Sequence, residues 1–147
     1  MSMYSKARKG IFKPKNPSKW VSPNKIIYRS SIEQRYFTLF DLSSSVINIA
    51  SEKVIIPYFD DARQKQRRYY IDLIVKYKDK QGEIKVKLIE IKSFTESILP
   101  KKPKRITENY KNAIATYITN QSKWKAATAY ANKRGWEFVV MTEKNLK

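Results

Sequence analysis

Asp72, Glu90 and Lys92 stand on two neighbouring β-rich runs, RYYIDLIVKY (68–77) and EIKVKLIEIK (83–92). Side chains alternate across a strand, so Ile84, Val86, Leu88, Glu90 and Lys92 share one face, and Lys85, Lys87, Ile89 and Ile91 the other. An aliphatic row that ends in a carboxylate and an ammonium is a costly place for charge unless each has a partner. The five polar residues 78–82, ending in glycine, suit a hairpin. If it closes between Tyr77 and Glu83, Asp72 falls across from Leu88 and diagonal to Glu90. Diagonal neighbours approach to roughly 7–8 Å, a span that one cation with oxygen ligands at about 2.0–2.6 Å bridges. Two carboxylates that close repel each other, and a divalent ion resolves the conflict. The three residues therefore hold the ingredients of metal-assisted phosphodiester hydrolysis. The carboxylates hold an ion against a phosphate oxygen and a water, and the lysine steadies the hydroxide or the developing charge. Spacing alone leaves a structural ion-pair cluster equally open.

The rest of the composition narrows that chemistry. The 147-residue chain contains no cysteine and no histidine, which excludes disulfides, thiolate and imidazole metal sites, and nucleophile–histidine pairs. A hard divalent cation with oxygen ligands, Mg²⁺ with Mn²⁺ as the alternative, fits what remains. Thirty-one Lys and Arg against thirteen Asp and Glu give a formal charge of +18, an excess that attracts polyanions. Nucleic acid is the expected partner, whether for an enzyme or for a basic structural protein. Membrane-surface binding is weaker, because the basic residues are not gathered on one amphipathic segment. No run of eighteen apolar residues occurs, and Lys6, Arg8 and Lys9 are not followed by the apolar stretch of a secretory signal. The expectation is a soluble, cytosolic protein.

A hydrophobic fraction of 41 % over this length suits one domain. Residues 1–25, with three of the six prolines (Pro14, Pro17, Pro23) and Gly10, read as a basic extended arm pinned at Trp20 and Val21, leaving a domain over 26–147. SSIEQRYFTLFDLS (30–43) carries Ile32, Tyr36, Leu39 and Phe40 at helical spacing after a Ser30 N-cap. Residues 46–58 read as extended, 60–66 as a polar turn and 100–105 as a basic loop. Residues 106–134 are helical, with a break allowed at 120–122 and Gly135 at the C-cap, and 136–141 form a last strand. The order α, three β segments, α, β predicts an α/β fold with a central mixed sheet flanked by helices.

Asp72 followed by Glu90-Ile91-Lys92, after a helix bearing Glu33, resembles the restriction-endonuclease-like superfamily. That superfamily's signature is an aspartate and then Asp or Glu, any residue, Lys. More specifically, several further segments are similar to the head completion nucleases of T-even-type bacteriophages. They are Ile27-Tyr-Arg-Ser30 with Glu33, Ser51-Glu52 with 54–59, Arg67-Arg68-Tyr69 with Ile71-Asp72, Ile89-Glu-Ile-Lys92, Lys123-Trp-Lys-Ala-Ala127 and Lys133-Arg-Gly135. These segments span nearly the whole chain. The resemblance implies a restriction-endonuclease-like core related to the nuclease that cuts transposon ends. It also implies a DNA endo- or exonuclease that trims packaged DNA so that filled heads join tails. Such a protein would work in the host cytoplasm during assembly or at the head–neck of the virion, with portal or neck proteins as neighbours. The alternative is a DNA-binding head or neck protein without catalysis, which the intact set of acidic residues and lysine argues against. The catalytic set carried over is Glu33, Asp72, Glu90 and Lys92, with Asp72 and Glu90 as metal ligands. Ile71 stands where the superfamily often has proline before the aspartate.

Glu33 lies three residues after Ser30, which is also the capping-box spacing. Arg29 suits a phosphate contact or a pair with Glu33 or Glu52. Glu52, at the start of an extended segment, reads as solvated. Lys101, Lys102, Lys104 and Arg105 crowd into one loop after the active strand and are expected at the DNA backbone. Trp124 and Trp136 fall at core spacing and read as packing residues rather than base-stacking ones.

Overall fold

The computed structural model describes residues 9–21 and 25–146. Its elements run β1 (Gly10–Phe12), β2 (Ile26–Tyr28), α1 (Ser31–Leu42), β3 (Val46–Ser51), β4 (Ile55–Asp60), β5 (Lys65–Tyr70), β6 (Leu73–Lys78), β7 (Ile84–Ile91), α2 (Phe94–Ser97), α3 (Glu108–Lys133) and β8 (Glu137–Met141). Four strands make one sheet in the order β3-β6-β7-β8. The first three are antiparallel in turn, and β8 lies parallel to β7. A parallel return needs a crossover, and α3 supplies it. β1–β2 and β4–β5 are separate antiparallel ribbons. The central sheet is mixed, as the alternation predicts.

Both faces of the sheet are covered, which is why β7 turns from exposed to wholly buried along its length. One core, under α1, gathers Ile32, Tyr36, Phe37, Ile49, Leu73, Val75, Ile89 and Ile91. The other, under α3, gathers Ile56, Tyr58, Tyr69, Ile71, Leu88, Ala127 and Ala131, with Trp124 and Trp136 packed against it. On α1 the buried stripe is turned from the predicted one. Phe37 is 1 % exposed and Leu39 is 48 % exposed, because the buried row runs through Ile32, Glu33, Tyr36, Phe37 and Asp41 and leaves Leu39 and Leu42 on the outer face.

Several expected segments divide differently. The extended run 46–58 is two strands in two different sheets, broken where Glu52 takes a positive φ of 54°. The run 68–77 breaks likewise at Ile71 and Asp72, where the chain leaves the β4–β5 ribbon for the central sheet. The polar turn expected over 60–66 is shorter, because Asp60 closes β4 and Lys65 opens β5 as paired residues. Helix α3 runs unbroken through 120–122. Thr119 and Ser122 are buried there and hold the ribbon: the Thr119 hydroxyl donates to Asp60 at 2.8 Å, and the Asp61 amide donates to Ser122 Oγ at 3.2 Å. Gly135 closes α3 with a φ of +70°, the left-handed conformation that glycine adopts without a Cβ penalty.

The N-terminal segment was expected to be extended rather than packed, and part of it packs. Gly10–Phe12 pairs with β2, and the rings of Phe12, Trp20 and Phe37 meet at centroid distances of 5.1 to 5.8 Å. Asp41, 1 % exposed, ties the segment down by accepting from the amides of Lys15 and Asn16 and from the Trp20 indole. The Val21 amide donates to Ile49 at 2.8 Å. Residues 1–8 and 22–24, with Lys6 and Arg8, lie outside the described residues.

Candidate active site

The site forms where two ribbons meet. Leu73 pairs with Ile89 at the last rung of β6 and β7, and one residue earlier the chain crosses over. The Ile71 amide donates to Val54 at 3.0 Å, and the Glu52 amide donates to the Asp72 carbonyl at 3.1 Å. Asp72 thus leaves the ladder, and its side chain takes over as acceptor for the next rung: the Ile91 amide donates to Asp72 Oδ2 at 2.8 Å. Ile74 stands opposite Leu88. Continued by one residue beyond Leu73, this register sets Asp72 level with Glu90 rather than across from Leu88. The shift from the predicted register arises in the turn, where Lys78 pairs with Ile84 and Asp79 accepts from the amides of Gln81 and Glu83. Its effect is to bring the two carboxylates closer than diagonal neighbours.

Glu90 is 7 % exposed and lies between β6 and β8, where its residue pairs with Val140. It accepts a hydrogen bond from the Tyr69 hydroxyl, which comes off β5 and is itself buried. Burial first, then the Glu90 charge within hydrogen-bonding reach, hold the Asp72 carboxyl well above the ordinary aspartate range. Tyr69 is pushed far upward as well, by burial and then by Glu90, so it stays a phenol and a donor. Trp124 packs beside it, with its buried indole N–H making no well-formed hydrogen bond.

Glu33 comes from the first turn of α1 and is 8 % exposed. The Glu33 amide donates to Ser30 Oγ at 3.1 Å, so Ser30 caps the helix as expected. The carboxylate reaches back one residue further than in a capping box, accepting from the Arg29 amide at 3.0 Å. Burial pushes the Glu33 carboxyl up, and the Arg29 amide and charge partly offset that. Its negative field reaches Asp72. It does not merge with the pair, and no cluster of three Asp or Glu residues able to hold a metal ion occurs among the described residues.

Lys92 follows β7 directly, and its amide donates to Met141 at 3.0 Å, which fixes the backbone beside β8. Its side chain is half-buried and makes no hydrogen bond or ion pair among the described residues. Of the roles open to Arg29, the structure realises the pair with Glu52, made through both guanidinium nitrogens. The two side chains are 46 % and 40 % exposed, so Arg29→Ala is expected to cost no more than about 1 kcal/mol of unfolding free energy. A DNA-binding titration that shows a larger loss would mark a phosphate contact. Lys101, Lys102, Lys104 and Arg105 are all exposed, in the loop between α2 and α3.

Asp72 and Glu90 are hard oxygen donors crowded until one carboxyl resists ionisation, a conflict that a divalent cation relieves. These two residues fit such an ion. Sequence reasoning missed Tyr69 as a site residue; the signals were its place in the Arg67-Arg68-Tyr69 segment and its position two residues before Ile71 on the same buried face. Residues that orient metal ligands typically cost 10–100-fold in activity when removed. Tyr69→Phe is expected to lower cleavage by about tenfold, measured as initial rate on linear DNA, with the fold intact by circular dichroism.

The family model of the TnsA-like endonuclease N-terminal domain matches residues 43–143, which include Asp72, Glu90 and Lys92. A curated relative, the head completion nuclease of Enterobacteria phage T4, is 40 % identical over 146 residues, covering 96 % of this chain and 95 % of the relative. With that match over most of its length and the crossover-linked mixed sheet, the chain belongs to the TnsA-like endonuclease family, and its fold is restriction-endonuclease-like.

Proposed function

We propose that this chain is a metal-dependent DNA nuclease of phage head completion, acting on packaged DNA so that filled heads join tails. The observation that carries the reading is the pairing of Asp72 with Glu90 at the open end of the β6–β7 ladder, with Lys92, which has no hydrogen-bond or ion-pair partner among the described residues, two residues beyond Glu90. Similarity to the phage T4 relative, by its name a head completion nuclease, supports the setting.

Asp72 and Glu90 would hold Mg²⁺, or Mn²⁺ in its place. When bound, such an ion supplies charge against a non-bridging phosphate oxygen and lowers the pKa of water. Lys92 offers its ammonium to the attacking hydroxide or to the charge that builds on phosphorus. Glu33, buried but outside the pair, orients the water and offers a carboxylate to take its proton. Hydrolysis forms one P–O bond from water and breaks one ester P–O bond. Arg29, Lys101, Lys102, Lys104 and Arg105 hold the backbone, contacts that position DNA without reading its bases. The same reading puts the protein in the host cytoplasm during assembly, or at the virion head–neck beside portal or neck proteins. The fold offers no helix, among the described residues, that is long and apolar enough to cross a membrane.

The test is incubation of the purified protein with linear and supercoiled DNA, in Mg²⁺ or in EDTA, repeated with Asp72→Ala. Cleavage by the wild type in Mg²⁺ alone, lost in the variant, is expected. Equal cleavage by both overturns the site, and DNA binding without cleavage by either overturns the enzyme in favour of a structural role.

A further inference from the structure

Helix α3 brings a second lysine to the same place. The Lys123 ammonium lies 5.4 Å from the centroid of the Tyr69 ring, whose hydroxyl donates to Glu90. Its electrostatic neighbours are Glu90, Lys92, Arg67 and Asp72. Two further cations, Lys92 after β7 and Arg67 on β5, are thus felt at Lys123 on α3 together with the two carboxylates. Arg67 is committed, because its guanidinium pairs with buried Asp60 at 3.1 Å. Lys123 is not. It is half-buried, and among the described residues it has no hydrogen-bond acceptor or salt-bridge partner.

A lysine carries three donors and no acceptor, and sinking it without a partner opposes folding. A structural role would be served by an acceptor, and a carboxylate reaches the adjacent residue of α3. Asp61 accepts from Ser122, the residue before Lys123, yet does not reach the ammonium. The ring of Tyr69 orients the charge from one side and leaves the donors free. Burial, and then repulsion from Lys92 and Arg67, lower the proton affinity of Lys123, despite the pull of Glu90 and Asp72. An ammonium half removed from water is stabilised by an incoming anion, as the carboxylate pair is by an incoming cation.

We propose that Lys123 is a substrate-contacting residue. Held over Tyr69 on the α3 side of the Asp72–Glu90 pair, its ammonium binds a non-bridging oxygen of a DNA phosphate flanking the one attacked. The assignment rests on the nuclease reading of that pair. Lys92 and Lys123 then divide the work: one acts on the reacting phosphate, and the other sets which phosphate arrives there.

Lys123→Gln and Lys123→Arg in the full chain test this. Duplex binding is measured over a salt series with Ca²⁺ in place of Mg²⁺, alongside KM and kcat in Mg²⁺ and a thermal melt. Lys123→Gln should flatten the slope of log affinity against log salt by about 0.9, the loss of one phosphate contact. It should raise KM roughly tenfold with a smaller change in kcat, and Lys123→Arg should restore most of both. An unchanged salt slope and KM in Lys123→Gln overturns the proposal, as does a lowered melting temperature with an unchanged slope, which assigns packing alone. If the wild type binds but never cuts, the nuclease reading falls, while the salt slope still decides whether Lys123 meets a phosphate.

Discussion

Glu90→Gln is expected to reduce DNA cleavage by about a thousandfold or more, while the protein stays folded. The amide keeps the size of the carboxylate and can still accept from the Tyr69 hydroxyl, so the packing beneath α3 is preserved. What it loses is the charge that holds a cation and, through it, the stabilisation of charge developing at phosphorus. Losing a preorganised electrostatic contact of that kind typically costs two to three orders of magnitude, and losing the ion removes more. A thermal melt supplies an independent reading. In the metal-free protein, Asp72 has its folded-state pKa raised by burial and by Glu90 above the ordinary value of 3.8. A raised carboxyl pKa means that the folded state holds its proton longer. The associated stability is present at low pH and is lost as pH rises through the raised value. The metal-free wild type therefore loses stability as pH rises toward and through that raised value, a loss that Glu90→Gln reduces by removing the neighbouring charge. The variant is expected to melt a few degrees higher than the wild type in EDTA. Mg²⁺ at ten times its dissociation constant should stabilise the wild type by about 1.4 kcal/mol and the variant by almost nothing.

Asp60→Ala is expected to lower unfolding free energy by about 3 kcal/mol, read from urea or thermal denaturation. The carboxylate is fully buried and serves as a hub. It accepts from the amides of Ala62 and Arg63, from the guanidinium groups of Arg63 and Arg67, and from the Thr119 hydroxyl. Its loss leaves donors on two elements unpaired at the junction of the β4–β5 ribbon with α3. Burial opposes the charge, but the Thr119 hydroxyl, Arg67 and the backbone amides outweigh it and hold the pKa down to about 2. A depressed carboxyl pKa contributes stability above its unfolded value, near 3.8, that is lost as pH falls through about 2. The gap between wild type and variant should thus be constant above pH 5 and should narrow between pH 3.8 and 2. A gap that stays constant through that window would show that the charge contributes nothing.

The sequence exposed most of the fold, because its elements announce themselves. Ser30 and Gly135 punctuate the helices, and the alternation through Ile84 to Ile91 marks β7. The breaks at Glu52 and at Ile71–Asp72 gave no sign, since neither carries a glycine or proline and only the crossing of two ribbons separates the strands. Asp72, Glu90 and Lys92 were legible as a set, but the hairpin register was misjudged by two residues. The turn was read from composition, whereas Asp79 fixes it by capping two amides. Asp41 and Asp60 were unreadable for a different reason. A carboxylate at the end of a helix or strand looks solvated in a sequence, and burial becomes visible only when Trp20, Thr119 and the arginines close around it. Lys123 shared that fate within a helix rich in lysine.

Glu90 is embedded in the middle of the sheet, with strands on either side, whereas Asp72 sits at the seam where the β4–β5 ribbon leaves it. Mechanically, the pair is a caliper with one jaw fixed and the other mounted on a hinge. Any tilt of the ribbon against the sheet changes the gap between the two carboxylates, while the gap between Glu90 and Lys92, on one strand and its extension, stays the same. The Ile91 amide, bonded to the moving jaw, is the backbone group whose hydrogen exchange would register that opening.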